Sequence, residues 1–355
     1  MSTTITTTSL VNPETLELIE QRAADLDAGK TTTKDVFPQL GEQNLLGLGA
    51  PHNADGGLPA MAEVVSAVAS RCLSTAFSLW ATRITVEYLL SSQTETGRHY
   101  AFELVSGKRL GITGMASAFK DLSGCGSLDL SATLTEDGGF LLDGTLRWAS
   151  NLFDDSILVT AARTVHGDKL VVALPLDTPG VSVGKAFELL ALGGTSSSFV
   201  KLENVPVRAD QVLTRDVETF LTGVRPTFLL LQSAMCLGLA ATSIDATRDG
   251  LVGVNNAFSG ELDEVYGRHV LATSALTKLA ERVGTTEPPQ RTELLSLRLA
   301  AAEITTAAAG LEVRTAGGRG YARATAASRR FREATFIPVQ SPSEGQLRWE
   351  LANSH

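Results

Sequence analysis

The sequence predicts an α+β multidomain protein: an α-helical N-terminal domain over residues 1–107, a β-barrel middle domain over 108–214 and a C-terminal helical bundle over 215–355. Three observations predict it. Apolar residues recur at helical spacing in the first and last thirds. The middle third alternates apolar and polar residues in short runs broken by Gly and Asp turns. A chain of 355 residues is also too long for one small core.

The elements follow in order. The start, MSTTITTTSLVNPE, reads as a polar arm. ETLELIEQRAADLDAG puts Leu16, Ile19, Ala23 and Leu26 on one helix face and stops at Gly29. A short helix is expected over Lys34–Leu46, then a turn-rich loop, GAPHNADGGLPA. Helical spacing resumes over Met61–Ser92 and again in ETGRHYAFELVSG. In the middle third, SLDLSATLTEDGGFLLDGTLRWA reads as two strands around Gly138-Gly139, with a second turn at Asp143-Gly144. DSILVTAART and KLVVALPL form a hairpin at His166-Gly167-Asp168. VSVGKAFELL and FVKLENVPV add strands, and tight turns of this kind suggest a small antiparallel barrel or sandwich. Three long helices are expected after Arg225, Gly260 and Arg291, within a bundle of four or five.

Composition excludes several classes. The net charge is −9, and Arg329-Arg330-Arg332 is the one basic cluster, so nucleic acid is not an expected partner. Cys72, Cys125 and Cys236 are odd in number, far apart and without CxxC spacing, which argues for reduced thiols. His52, His99, His166, His269 and His355 show no metal-ligand spacing, so no metal is expected, and His52 reads as a turn histidine. No signal peptide is apparent at the start, and the apolar run Phe228–Ala241 is too short to span a bilayer. A cytoplasmic protein with no membrane partner is the expectation.

Four segments carry a resemblance. The first is Asp137-Gly138-Gly139-Phe140-Leu141-Leu142-Asp143-Gly144 with Arg147-Trp148-Ala149-Ser150. The second is LGGTSSSFVKLENVPV. The third, and the most specific, is Gly317-Gly318, Gly320-Tyr321 and Arg332-Glu333-Ala334. The fourth is the tail FIPVQSPSEGQLRWEL. Together, in the order helices, β domain, helices, they resemble the acyl-CoA dehydrogenase flavoprotein family.

That resemblance implies FAD, with FMN as the lesser alternative. Ser117 and Ser123 fall at the family's Thr and Ser positions in its cofactor loop, although the loop's acidic residues and Pro are missing. Trp148, Ala149 and Ser150 would form the wall and polar edge for the flavin ring. Gly317 and Gly318 would let a neighbouring subunit approach the cofactor's diphosphate, with Arg314 in place of the usual Gln as a further cation; a homodimer or homotetramer follows. Phe258 has a family counterpart, but the accompanying Arg is absent.

The family's catalytic Glu falls on Ser341, which cannot abstract a proton unaided. Glu344, three residues on, is the nominated carboxylate; the plainer reading makes it a helix-capping acid. The implied activity is hydride transfer from an acyl thioester such as acyl-CoA to FAD, with an electron acceptor or flavin reductase as partner. A flavin monooxygenase on the same fold and a non-catalytic, flavin-free binding protein are the alternatives. Ser341 favours the monooxygenase more than it favours a simple dehydrogenase.

Overall fold

The computed structural model describes residues 10–51 and 53–354. His52, His355 and most of the polar arm lie outside the described residues. Helix α1 (Pro13–Asp27) starts on a proline, whose missing N–H costs nothing in a first turn, and buries Leu16, Ile19, Ala23 and Leu26. The helix expected over Lys34–Leu46 is shorter: a 3-10 turn at Thr33–Val36 leads into α2 (Phe37–Glu42), and Asn44 then turns left-handed at φ 56°. The helical run over Met61–Ser92 is two helices, α3 (Leu58–Arg71) and α4 (Leu73–Ser91), because Cys72 between them is extended. Helix α5 (Glu95–Val105) is capped by Thr94, whose hydroxyl accepts from the Gly97 N–H at 3.0 Å.

The middle region holds β1 (Gly111–Gly114), helix α6 (Ala116–Leu122), β2 (Leu130–Leu134), β3 (Phe140–Ala149), β4 (Ile157–Thr164), β5 (Lys169–Pro175), β6 (Val181–Val183), β7 (Ser198–Val207) and β8 (Val212–Thr214). Seven strands run in the order β6-β7-β3-β2-β4-β5-β8, and β1 pairs with β4. The sheet is mixed rather than antiparallel throughout, because β1 and β2 both lie parallel to β4. The reason is α6, which joins β1 to β2 as a crossover where a hairpin would have reversed the chain. Asp143-Gly144 is not a turn. β3 continues through it with a register irregularity, and Gly144 sits at φ 135°, where an added Cβ would meet the Asp129 carbonyl at 2.5 Å.

Both faces of the sheet's centre are covered. Leu158, Leu174, Leu142 and Val200 pack within the sheet's own interior, whereas Val159, Ala161, Val171 and Ala173 join the helical core. That core is completed by α7 (Val217–Asp249), α8 (Ser259–Arg282), α9 (Arg291–Ala316), the short α10 (Gly318–Tyr321), α11 (Ala326–Phe336) and α12 (Glu344–Ala352). α7 has 33 residues, about 50 Å at 1.5 Å per residue, and packs against α3, α4, α8 and α9. The run Phe228–Ala241 lies inside it, so the apolar helix is longer than the sequence suggests. α7 and α9 are each long and apolar enough to cross a membrane, but their apolar stretches are mostly buried within the protein.

Asn151 ties the sheet to the helices. It sits at φ 62°, a conformation Asn tolerates. Its buried Nδ2 donates to the Ser78 carbonyl on α4 at 3.1 Å and to the Gly111 carbonyl on β1 at 3.0 Å. Its own N–H donates to the Thr195 carbonyl at 2.9 Å.

Candidate functional site

The end of β3 presents Trp148, Ala149 and Ser150. Trp148 is 68% exposed, which is unusual for so large an apolar ring, and its indole packs on Phe187 with centroids 4.5 Å apart. Ala149 is buried. The Ser150 hydroxyl lies 2.6 Å from that of Ser197, which lies 2.8 Å from that of Thr195. An open aromatic face thus stands beside a chain of three hydroxyls.

Ser117 and Ser123 are not on an open loop. The segment coils into α6, with Ser117 buried in its first turn and Ser123 just past its end. The Ser117 Oγ accepts from the Asp129 N–H at 3.4 Å. The Ser123 hydroxyl is buried and, among the described residues, lacks a hydrogen-bond partner. Without the acids and proline of the family's loop, Ala116, Ala118 and Phe119 form a small apolar helix, and its inner side seats Phe119 in the core.

In the tail, Ser343 caps α12, its hydroxyl accepting from the Gln346 N–H at 3.3 Å. Glu344 opens α12 as a partly exposed first-turn acid, paired with Arg348 at 2.8 Å; Arg348 also pairs with Glu303 at 2.9 Å. The Ser341 carbonyl accepts from Gln232 Nε2 at 2.9 Å, while Gln232 Oε1 accepts from Arg298 Nε at 3.1 Å. The Ser341 hydroxyl and both ends of the Gln340 amide are buried without partners among the described residues. Two turns into the helix, Glu350 is fully buried between Arg225 at 2.5 Å and Arg291 at 2.7 Å. Burial alone would raise its carboxyl, but the two guanidiniums and Gln346 outweigh that and hold it below the ordinary carboxylate range. An acid held ionised by two arginines has little basicity left.

Arg314, Gly317 and Gly318 stand apart at the end of α9. Arg314 pairs with Glu261 and lies over Phe258 at 5.1 Å. Gly317 adopts φ 58°, and a Cβ added at either glycine would meet nothing within 4 Å, so the backbone there is open to approach. Among the described residues, no group of three His, Cys, Asp or Glu could hold a metal ion.

No family model matches the chain. Several curated proteins align with nearly all of it. The probable acyl-CoA dehydrogenase of Bacillus subtilis is 23% identical over 347 residues, 90% of this chain and 89% of that one. The mitochondrial short-chain specific acyl-CoA dehydrogenase of mouse is 24% identical over 368 residues, 92% and 86% of the two chains. Over nearly its whole length, the chain is similar to acyl-CoA dehydrogenases. Solved structures agree on the fold. Butyryl-CoA dehydrogenase of Megasphaera elsdenii superposes with a TM-score of 0.86 at 18% identity, covering 97% of this chain and 96% of that one. Dibenzothiophene monooxygenase of Paenibacillus gives 0.78 at 18% identity over 96% and 94%.

Within this acyl-CoA dehydrogenase-like fold, three features escaped sequence reasoning. Phe187, the partner of Trp148, lies in a segment that reads as a strand. The Glu350 clamp joins α7, α9 and α12 across more than a hundred residues, with no local signature. Asn151 had one available cue, a lone Asn directly after a strand.

Proposed function

We propose that the chain is a flavin-dependent oxidoreductase with FAD as its cofactor. The observation that carries the reading is the exposed Trp148–Phe187 face beside the Ser150–Ser197–Thr195 hydroxyls, on a fold shared with acyl-CoA dehydrogenases. These groups fit a flat ring with a polar edge: the indole would cover one face, and the hydroxyls would bond the edge atoms. The partnerless Ser123 hydroxyl suits a phosphate oxygen. The open Gly317-Gly318 backbone suits the cofactor of a second copy, as a homodimer or homotetramer would supply it. Bound FAD supplies a two-electron acceptor. The experiment is release and identification of flavin from the purified protein; a colourless preparation that takes up no added FAD would defeat the proposal.

In its finer form, the reading takes an acyl thioester such as acyl-CoA as reductant, and an electron acceptor protein or a flavin reductase as partner. The chain's task is then to remove an α-proton, and Glu344 is the nominated base, which requires release from Arg348. One observation favours a flavin monooxygenase instead. Ser341 stands at the family's base position, and the buried carboxylate of that region, Glu350, is neutralised by two arginines. Anaerobic addition of acyl-CoA separates the two readings, because a dehydrogenase bleaches without any external reductase.

A further inference from the structure

Two polar side chains, on the packed helices α7 and α9, hold the segment that joins α11 to α12. Gln232 and Arg298 are both 0% exposed. Gln232 Nε2 donates to the Ser341 carbonyl at 2.9 Å, and its Oε1 accepts from Arg298 Nε at 3.1 Å. Arg298 Nη2 donates to the Ile337 carbonyl at 3.1 Å, so the segment 337–341 is held at both ends. The direction of the Gln232 amide follows from chemistry. A guanidinium only donates, so it takes Oε1 and leaves Nε2 for the Ser341 carbonyl, which only accepts. The reversed amide would set donor against donor and acceptor against acceptor. Arg298 is a costly residue for this place. The other two buried arginines, Arg83 and Arg225, each pair with a glutamate. Among the described residues Arg298 pairs with no acid, and its buried Nη1 lacks a hydrogen-bond partner. Its helix neighbours Leu294, Leu295, Ala301 and Ala302 are buried and apolar. Arginine cannot shed its proton, so the charge stays.

We infer that Arg298, acting through Gln232, is a positioning residue for Ser341: the guanidinium sets which way the Gln232 amide faces, and that amide sets the Ser341 peptide. The inference rests on the flavin oxidoreductase reading proposed above, in which Ser341 stands at the family's base position. A hydrophobic side chain of similar volume would fill the place of Arg298 without the desolvation cost of a lone buried charge. What it would not supply is a fixed direction for the amide. Arg298 is therefore worth more to the placement of the segment than to the stability of the core. Those two contributions separate experimentally, because removing the charge moves them in opposite directions.

The test compares wild type, Arg298→Met, Arg298→Lys and Gln232→Glu as full chains, by urea unfolding and by hydrogen exchange resolved to the segment. Protection there is read at the Val339 and Gln340 N–H groups, which donate to the Phe336 carbonyl, and at the Glu344 N–H, which donates to the Pro338 carbonyl. In Arg298→Met the unfolding midpoint should hold or rise, while these amides exchange about five- to tenfold faster, as the loss of about one hydrogen bond allows. Arg298→Lys keeps a donor-only cation and should restore most of the protection. Gln232→Glu neutralises Arg298 but offers the Ser341 carbonyl no donor when ionised, so stability should hold while the segment loosens. Where an acyl-CoA bleaches the flavin, the rate should fall about tenfold or more in Arg298→Met and recover in Arg298→Lys, as a misplaced group predicts. Unchanged exchange in either folded variant overturns the inference. So does a methionine variant whose stability falls together with its local protection, or a bleaching rate unmoved while the segment loosens. Should the methionine variant not fold, Gln232→Glu decides alone. A colourless protein defeats the flavin reading, and exchange against unfolding still judges the positioning.

Discussion

Replacing Glu333 by Gln should stabilise this protein progressively as pH rises from about 4.5 to about 7, fully above that, and not in acid. Glu333 lies on α11 with 1% exposure, and neither carboxyl oxygen accepts a hydrogen bond among the described residues. Its nearest cation is Arg329, with Nε at 3.5 Å, while Arg330 is taken by Glu312 and Arg332 by Asp27. Burial pushes the carboxyl up to about 7, against the opposing pull of Arg329. A folded-state value above the unfolded one gives stability that is fully present at acid pH and lost as pH rises through about 7. The interval from the ordinary 4.5 to about 7, at about 1.4 kcal/mol per pH unit, amounts to about 3 kcal/mol. Gln keeps the shape and removes the titration. Urea unfolding of wild type and Glu333→Gln at about pH 5 and pH 8 should therefore give a stability difference that moves by about 2–3 kcal/mol in favour of the variant at the higher pH. A difference that is the same at both pH values would refute the reasoning. A variant less stable than wild type at pH 8 would mean that Arg329 compensates the charge fully.

Trp148→Ala should weaken flavin retention by about tenfold or more through loss of a ring contact, whereas Ser150→Ala should cost about 0.5–1.5 kcal/mol; equilibrium dialysis against FAD measures both, and unchanged occupancy in the Trp148 variant removes β3 from the site. Glu344→Gln should lower the rate of flavin reduction by an acyl-CoA by roughly 10²-fold if Glu344 is the base, and stopped-flow bleaching at the wild-type rate assigns it to helix capping alone. Glu350→Gln should cost about 3 kcal/mol of unfolding free energy, since it leaves buried Arg225 without its counter-charge; a neutral outcome in denaturant titration would show that solvent and the amide's hydrogen bonds compensate the guanidinium.

The sequence made the architecture legible because periodicity is local. Leu16, Ile19, Ala23 and Leu26 are spaced for a helix and are buried as one, and Lys169–Pro175 reads and folds as a strand. What it hid is set by distant partners. The parallel pairing of β1 and β2 with β4 depends on α6, seven residues whose helicity shows in no long-range apolar pattern. The Asp143-Gly144 pair has the composition of a turn, yet it bends a continuing strand because β2 and β7 hold both its edges. Motif residues nominate the Trp148 segment, and they nominate the Gly317 turn, which stands apart from it at the end of α9. Phe187 and the Arg225–Glu350–Arg291 clamp were not, because each is a meeting of chain segments far apart in sequence.

The single amide of Asn151 has a mechanical consequence. It pins the residue after Ser150 to a carbonyl of α4 and another of β1, so the Trp148 wall cannot hinge away from the helices as a separate lobe. Whatever breathing admits and releases small molecules has to come from parts hung outside that rivet. Hydrogen exchange should therefore find the Asn151 and Thr195 backbone among the slowest sites, and the α6 segment among the quicker ones, within one and the same sheet region.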